Sequence, residues 1–290
     1  MDQIVAQSRA AIVKGSRSFR TASRLFDRTL REDVWQLYAW CRHCDDEIDG
    51  QDHGHGGTAL PVIERQARLG RLRRLTARAL AGEPMDEPAF AAFQRVALRH
   101  NLAAEWPLAL LDGFALDVEA HDFERLEDVL GYCWGVAGVV GVMMATIMGS
   151  RDQQVLRRAQ DLGIAFQLSN IARDVREDAE AGRCYLPGEW LREFDLGMAT
   201  VDLEENRRAV AILVHRLIDS VERYERSARL GVPSLPFRSR WAVLSAAGIY
   251  GRIGRTVADL GPRAWDQRVV VPRSEKAMIL AAAFGEAMAA

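Results

Sequence analysis

The residues best placed to do chemistry form a short acidic pattern, D-x-x-x-D, that occurs twice. One copy is Asp45 and Asp49 in "YAWCRHCDDEID"; the other is Asp174 and Asp178 in "FQLSNIARDVREDAE". A four-residue step on a helix turns a side chain by about 40° and advances it about 6 Å, so each pair projects from one face. Asn170 extends the second stripe backward, and Gln167 lies on a neighbouring line of that face. Like charges at this spacing weaken a helix by a few tenths of a kcal/mol. Either pair alone reads equally well as ordinary surface acid. Together they read differently, because Tyr38, Ala39, Trp40 and Cys41 precede the first copy, and Ala165, Phe166, Leu168, Ile171 and Ala172 surround the second. Carboxylates facing an apolar interior need a cation. An all-oxygen donor set suits Mg²⁺ or Mn²⁺ and leaves coordination positions for phosphate oxygens. Two such stripes face to face would hold a Mg²⁺ cluster and, through it, a diphosphate. Arg42 and Arg173 stand beside the stripes and could clamp the phosphate oxygens left free. A zinc site from Cys41, Cys44, His53 and His55 is the competing reading. The cysteines sit inside a helical pattern with no turn to open them, and Cys41 fits the apolar face, so zinc is not expected there.

The elements that must carry these stripes are helical. Residues 31–49 place Val34, Leu37, Tyr38, Cys41 and Ile48 near one face, with Asp33 as early-turn charge and Gly50 as the stop. A loop, "QDHGHGGTALP", follows. Further helices are predicted over 59–81, 87–100, 104–121, 126–149, 152–179, 203–229, 236–259 and 272–288. Strand signals are almost absent. The expectation is a single all-α domain of about eight to ten helices spanning residues 1–290. The formal charge of −2 gives no basic excess for nucleic acid. The four cysteines show no disulfide framework, and the N-terminus has no signal-peptide core, so a cytoplasmic location is expected. The segment Val129–Ser150 has 22 uncharged residues, long enough for a membrane span, but it contains five glycines, a tyrosine and a tryptophan. It reads as a buried central helix. Helix 59–81 is rich in arginine (Arg65, Arg68, Arg71, Arg73, Arg74, Arg78) and reads as a solvated face in preference to a lipid-binding one.

"GSRSF" (15–19), "LYAWCRHCDDEID", "YCWGVAGVVG" (132–141) and "LGIAFQLSNIARDVREDAEAGRCYLP" (162–187) follow one another in an order that resembles the phytoene and squalene synthase family, the head-to-head prenyl synthases. Within it, "AWCRHCDDEIDGQ", "EPAFAAFQRVA", "RCYLP" and "AWDQR" most closely resemble the bacterial phytoene synthases. The resemblance implies an isoprenoid-synthase helical bundle with a deep central cavity. It implies that Asp45 and Asp49 on one wall, and Asn170, Asp174 and Asp178 on the other, bind Mg²⁺ and diphosphate. Ser16, Arg17, Ser18, Phe19, Tyr38, Arg42, Gln167 and Arg173 would contact substrate, Tyr132 and Tyr250 would line the pocket, and Arg268, Arg273 and Lys276 would add phosphate contacts. Gly15 and Trp134 depart from residues common at those positions in relatives. The implied reaction condenses two geranylgeranyl diphosphates through prephytoene diphosphate to phytoene, without NADPH. Either Tyr132 or released diphosphate would take the proton. The alternatives are farnesyl diphosphate as substrate, giving dehydrosqualene or squalene, and an inactive helical scaffold. Lipidic substrate and product imply peripheral membrane contact and contact with other carotenoid-pathway enzymes.

Overall fold

A computed structural model describes residues 2–51 and 60–290. His53, His55 and the side chain of Arg17 lie outside the described residues. Every regular element among the described residues is a helix: α1 (Gln3–Gly15), α2 (Arg17–Ser23), α3 (Arg28–Asp49), α4 (Val62–Leu80), α5 (Pro88–His100), α6 (Glu105–Val118), α7 (Leu126–Cys133), α8 (Val139–Ile147), α9 (Gln153–Glu180), α10 (Gly188–Arg192), α11 (Arg207–Arg229), α12 (Phe237–Leu260) and α13 (Arg273–Ala289). These thirteen exceed the expected number for two reasons. The helices α1, α2 and α10 carry little periodic signal, and the segment expected as one helix over 126–149 is divided by a π-helical turn at Trp134–Gly138.

Helix α3 starts earlier than its periodicity suggests, because the Asp27 side chain accepts from the Leu30 amide and caps it. Gly50 ends it in the left-handed region, at φ 63°. Asp33 is not a first-turn charge. It is 1 % exposed and pairs with Arg99 and with His100 Nε2 at 2.8 Å, tying α3 to α5. The stripe buried in the core is Val34, Leu37, Trp40, Cys44 and Ile48, with Trp40 stacked on Phe93 at 4.2 Å. Tyr38 and Cys41, expected on that face, belong instead to a second line. With Arg42 and Asp45 they look into a cavity of ≈ 330 Å³.

The far wall of the cavity is α9, which packs against α8, α11 and α12. Its closest approach needs glycine. A Cβ on Gly141 would stand 2.2 Å from the Ala159 carbonyl oxygen, and one on Gly163 would stand 2.2 Å from that of Ala137. The two backbones therefore touch, and no side chain separates them. The stretch Leu126–Ile147 is long and apolar enough to cross a membrane, yet more than half of its most apolar part is buried in the protein. Val136, Val140 and Met144 from it line the cavity, as does Met148 just beyond it. Five of the six α4 arginines named above are engaged by protein partners. Arg65 donates to the Asp117 carbonyl at 2.5 Å, and Arg68, Arg71, Arg73 and Arg78 pair with Glu64, Glu87, Asp112 and Glu83.

The substitution Gly163→Ala is expected to lower unfolding free energy by about 2–3 kcal/mol through overpacking where α9 meets the π-helical turn Trp134–Gly138. Gly131→Ala, where an added Cβ meets nothing within 4 Å, should be neutral or stabilising by up to ~1 kcal/mol. Urea denaturation compares the two, and equal effects would remove the close-contact explanation.

Candidate active site

The cavity has a polar end and an apolar length. At the polar end α3 contributes Tyr38, Arg42 and Asp45, and α9 contributes Gln167 and Asn170. Arg42 Nη1 donates to Asp45 Oδ2 at 2.5 Å. One turn on, Asp49 accepts from Arg183 at 2.8 and 3.4 Å. On α9, Asp174 accepts from Arg173 Nε at 2.7 Å and from Arg268 Nη2 at 2.9 Å. The amide of Asn170 donates to Gln167 Oε1 at 3.5 Å. The second stripe is not an ideal helical face: α9 leaves helical geometry at Asp174, with φ −101° and ψ 15°. The kink redirects the turn that carries Asp178.

Ser16 lines the cavity while its hydroxyl accepts from the Phe19 amide at 3.1 Å and so caps α2. Phe19 stacks on Tyr38 at 5.7 Å, and Phe166 stacks on Tyr250 at 4.1 Å; all four rings line the cavity. Ser18 is half-buried and does not line it. Of the three C-terminal basic residues, Arg268 reaches the site through Asp174, Arg273 is exposed at the start of α13, and Lys276 is half-buried one turn on. Gly15 has a direct cause, since a Cβ there would stand 2.5 Å from the Tyr38 hydroxyl. Trp134 does not shape the pocket: it is 40 % exposed and donates to Gln160 Oε1 at 3.0 Å.

Three residues at the site escaped sequence reasoning. Asp117 on α6 accepts from Tyr132 at 3.0 Å and from Tyr185 at 2.6 Å, while Arg183 holds Asp49. Arg183 and Tyr185 lie within "RCYLP", a block informative as a family signature but not as chemistry. Asp117 had a signal of its own, as a carboxyl in the strongly apolar run "LALLDGFALDV".

The electrostatics are those of negative charge short of counterions. Burial pushes the Asp45 carboxyl up to about 6, with Asp49, Asp46 and Asp117 adding to the effect and Arg42 opposing it. Burial, then Asp174, pushes Asp178 up to about 8 against the pull of Arg183. The Tyr38 hydroxyl and the Nε atoms of Arg42 and Arg183 are buried without a hydrogen-bond partner. Tyr38 and Arg42 lie close enough to influence one another, but not in hydrogen-bonding alignment. Oxygen donors, desolvated carboxylates and unspent donors together fit a hard divalent cation bound with an anion. Among the described residues no three His, Cys, Asp or Glu side chains close around one ion unaided. Such a cation would therefore draw part of its shell from elsewhere. The thiols do not suit zinc: burial, then Asp45, raises Cys41 to about 12, and burial also raises Cys44.

Residues 12–275 match the squalene/phytoene synthase family. The chain belongs to that family. It is 49% identical to the phytoene synthase of Pseudescherichia vulneris, over 96% of this chain and 90% of that one. It is 48% identical to the 15-cis-phytoene synthase of Pantoea ananas, over 94% and 89%. In structure it is similar to a dehydrosqualene synthase crystallised with ligand, at TM-score 0.87 and 25% identity, covering 99% of this chain and 98% of that one. The fold is shared with the squalene synthase of Alicyclobacillus acidocaldarius, at TM-score 0.76 and 24% identity over 89% and 94%. The isoprenoid-synthase architecture inferred from sequence is the observed one, and members of this family use prenyl diphosphates and normally depend on a divalent metal.

The raised carboxyls have a signed consequence for stability. Asp45, Asp117 and Asp178 bind protons more tightly folded than unfolded, so their contribution is fully present below their unfolded value of 3.8. It is lost as pH rises through about 6 and, for Asp178, about 8. The melting temperature of metal-free protein should fall from pH 6 to pH 8.5, and Asp178→Asn should flatten the upper part of that fall. Pyrophosphate with a divalent cation should raise the melting temperature more at pH 8.5 than at pH 6. Scanning calorimetry reads all three, and identical profiles for wild type and Asp178→Asn would remove burial of that carboxyl as the cause.

Proposed function

We propose that this chain condenses two molecules of geranylgeranyl diphosphate head to head, through prephytoene diphosphate, to phytoene, with release of diphosphate. What carries the reading is the contrast in similarity: relatives at 48–49% identity across nearly the whole chain are phytoene synthases, whereas the dehydrosqualene synthase neighbour is at 25%. The cavity supports it, joining a basic and acidic end to an apolar interior.

In this reading Asp45 and Asp49 from α3, with Asn170, Asp174 and Asp178 from α9, hold Mg²⁺, which Mn²⁺ can replace. When bound, the metal withdraws electron density from the diphosphate and eases departure of the allylic C–O bond. Arg42, Arg173 and Arg183, now paired to Asp45, Asp174 and Asp49, supply guanidinium groups to the same phosphate oxygens. Tyr38 presents its unpartnered hydroxyl there, and Ser16, Arg17 and Gln167 complete the substrate contacts, whereas Ser18, which does not line the cavity, is left out of them. The allylic cation is captured by the 2,3 double bond of the second molecule, and loss of a proton closes a cyclopropane. A second ionisation, rearrangement and proton loss yield the triene. Walls such as Leu110, Phe114, Val140 and Met144 exclude water that would quench each cation. The stacked pairs Phe19–Tyr38 and Phe166–Tyr250 offer π faces to positive charge. No reductant enters, so NADPH is not required. A lipidic product calls for hand-off to a membrane or to the next carotenoid-pathway enzyme, consistent with a cytoplasmic protein in peripheral membrane contact.

Purified protein with geranylgeranyl diphosphate, Mg²⁺ and no NADPH should release a C40 hydrocarbon absorbing as phytoene. A C30 product formed in preference from farnesyl diphosphate would replace the substrate and keep the mechanism. Asp45→Ala and Asp174→Ala should each cut turnover by at least about 10³-fold while helical circular dichroism is unchanged. Activity retained in both would sink the metal assignment.

A further inference from the structure

We infer that Asp117 is the proton acceptor behind Tyr132, receiving through that hydroxyl the proton lost when the carbocation closes its cyclopropane ring. The inference rests on the function proposed above and concerns a step for which the acidic motifs supply no base.

Asp117 lies on α6, 9 % exposed. Its Oδ2 accepts from the Tyr132 hydroxyl at 3.0 Å and its Oδ1 from the Tyr185 hydroxyl at 2.6 Å, and the two hydroxyls are 3.2 Å apart. The tyrosine rings stack at 4.8 Å with 20° between their planes, which fixes both hydroxyls on the carboxylate. Tyr132 lines the cavity; Asp117 and Tyr185 do not. The order outward from the reacting carbons is therefore cavity, phenol, carboxylate.

A neutral phenol is a poor base, because a protonated phenol is a strong acid. It takes a proton from carbon effectively only if its own proton leaves at the same time. Loss to solvent as a phenolate is closed off here, since burial, then Asp117, raises Tyr132 well above the usual tyrosine range. A carboxylate at hydrogen-bond distance provides the exit. Asp117 is suited to it because the direct partners of its carboxylate are neutral hydroxyls; Arg65 is engaged by its backbone carbonyl and Arg183 by Asp49. Burial raises the carboxyl to about 6, opposed by Tyr185, Arg183 and Tyr132 and reinforced by Asp49.

The step balances as follows. Attack of the 2,3 double bond on C1′ of the donor leaves the positive charge on C3. The C1′–H bond then breaks and its electron pair becomes the C1′–C3 bond. The proton goes to the Tyr132 oxygen as the Tyr132 proton passes to Asp117 Oδ2. Asp117 afterwards returns a proton by the same hydroxyl to the released diphosphate. Asp117 acts through Tyr132 and is a positioning and proton-storing residue, whereas Tyr132 touches the substrate.

The test is single-turnover formation of the cyclopropyl diphosphate from geranylgeranyl diphosphate, either unlabelled or dideuterated at C1. Asp117→Asn keeps the size of the side chain but cannot store the proton. It should slow the step by about 10²-fold, with KM little changed, and should reveal a primary isotope effect absent from wild type. Tyr132→Phe should lose a similar factor, and the double variant should lose no more than the worse single. An Asp117→Asn protein that is fast, or slow without an isotope effect, or whose loss adds to that of Tyr132→Phe, would overturn the relay. Should Asp117→Asn not fold, Tyr132→Phe must show the isotope effect. Tyr185→Phe, which leaves the Tyr132–Asp117 bond in place, must then lose less and show none; matching isotope effects overturn the relay. A wild-type protein that forms no cyclopropyl intermediate overturns the proposed function along with it, whereas active wild type with unaffected Asp117→Asn overturns the relay alone.

Discussion

The arrangement turns on one constraint, that several carboxylates share the low-dielectric end of an apolar cavity. Charges of like sign a few ångströms apart repel far more strongly there than in water. Arg42 neutralises Asp45, Arg183 neutralises Asp49, and Arg173 with Arg268 neutralises Asp174. Asp178 has no arginine bonded directly to it among the described residues, and its carboxyl is pushed highest, to about 8. In the proposed reaction an anionic diphosphate would arrive with divalent cations. Asp45, Asp49 and Asp174 would then hold metal in place of guanidinium, and Arg42, Arg173 and Arg183 would hold phosphate in place of carboxylate. Each group would keep one strong partner, so that desolvation need not be repeated on binding.

Such an exchange requires the two acidic walls to stay at a fixed separation while their partners change. Backbone contact of Gly141 in α8 with Ala159, and of Gly163 with Ala137 in the π-helical turn Trp134–Gly138, removes the side-chain layer that would let this stretch and α9 slide. Farther along, α9 kinks at Asp174. Both irregularities fall where the chain turns functional side chains inward, a common place for π-bulges and kinks. Regularity elsewhere supports them: α3 is capped by Asp27 at its start and closed by Gly50 at its end, so Asp45 and Asp49 sit on a helix fixed at both termini.

The acidic stripes, the helical class and the family signature were legible because each depends on residue type at a fixed spacing. Assignment of faces was less legible, and α3 shows why. Periodicity groups Tyr38 and Cys41 with Val34 and Leu37, because it registers apolar character and not what the apolar surface meets. Here one line meets protein and the adjacent line meets an apolar cavity. Asp33 was misplaced and Asp117 missed for a related reason. A single buried acid has no spacing to betray it, and its partners, Arg99 and His100 in one case and Tyr132 and Tyr185 in the other, are distant in sequence. Arg183 and Tyr185 stood in a recognisable block whose chemistry becomes visible only when Asp49 and Asp117 are placed beside it.

The same ambiguity resolves the membrane-length segment. A helix of a soluble protein is ordinarily amphipathic because one side faces water. The stretch from Leu126 to Ile147 has little such side: part of it is sealed against α6 and α9, and Val136, Ala137, Val140 and Gly141 face the cavity. Those four residues are only half-buried, so the apolar surface they present is not covered by protein. A hydrocarbon substrate would cover it, and a chain that must contact protein on one side and a prenyl tail on the other has no position that favours a charge. Membrane-like apolarity in this helix is then the imprint of a lipid held inside the protein, a composition set by the ligand as much as by the fold.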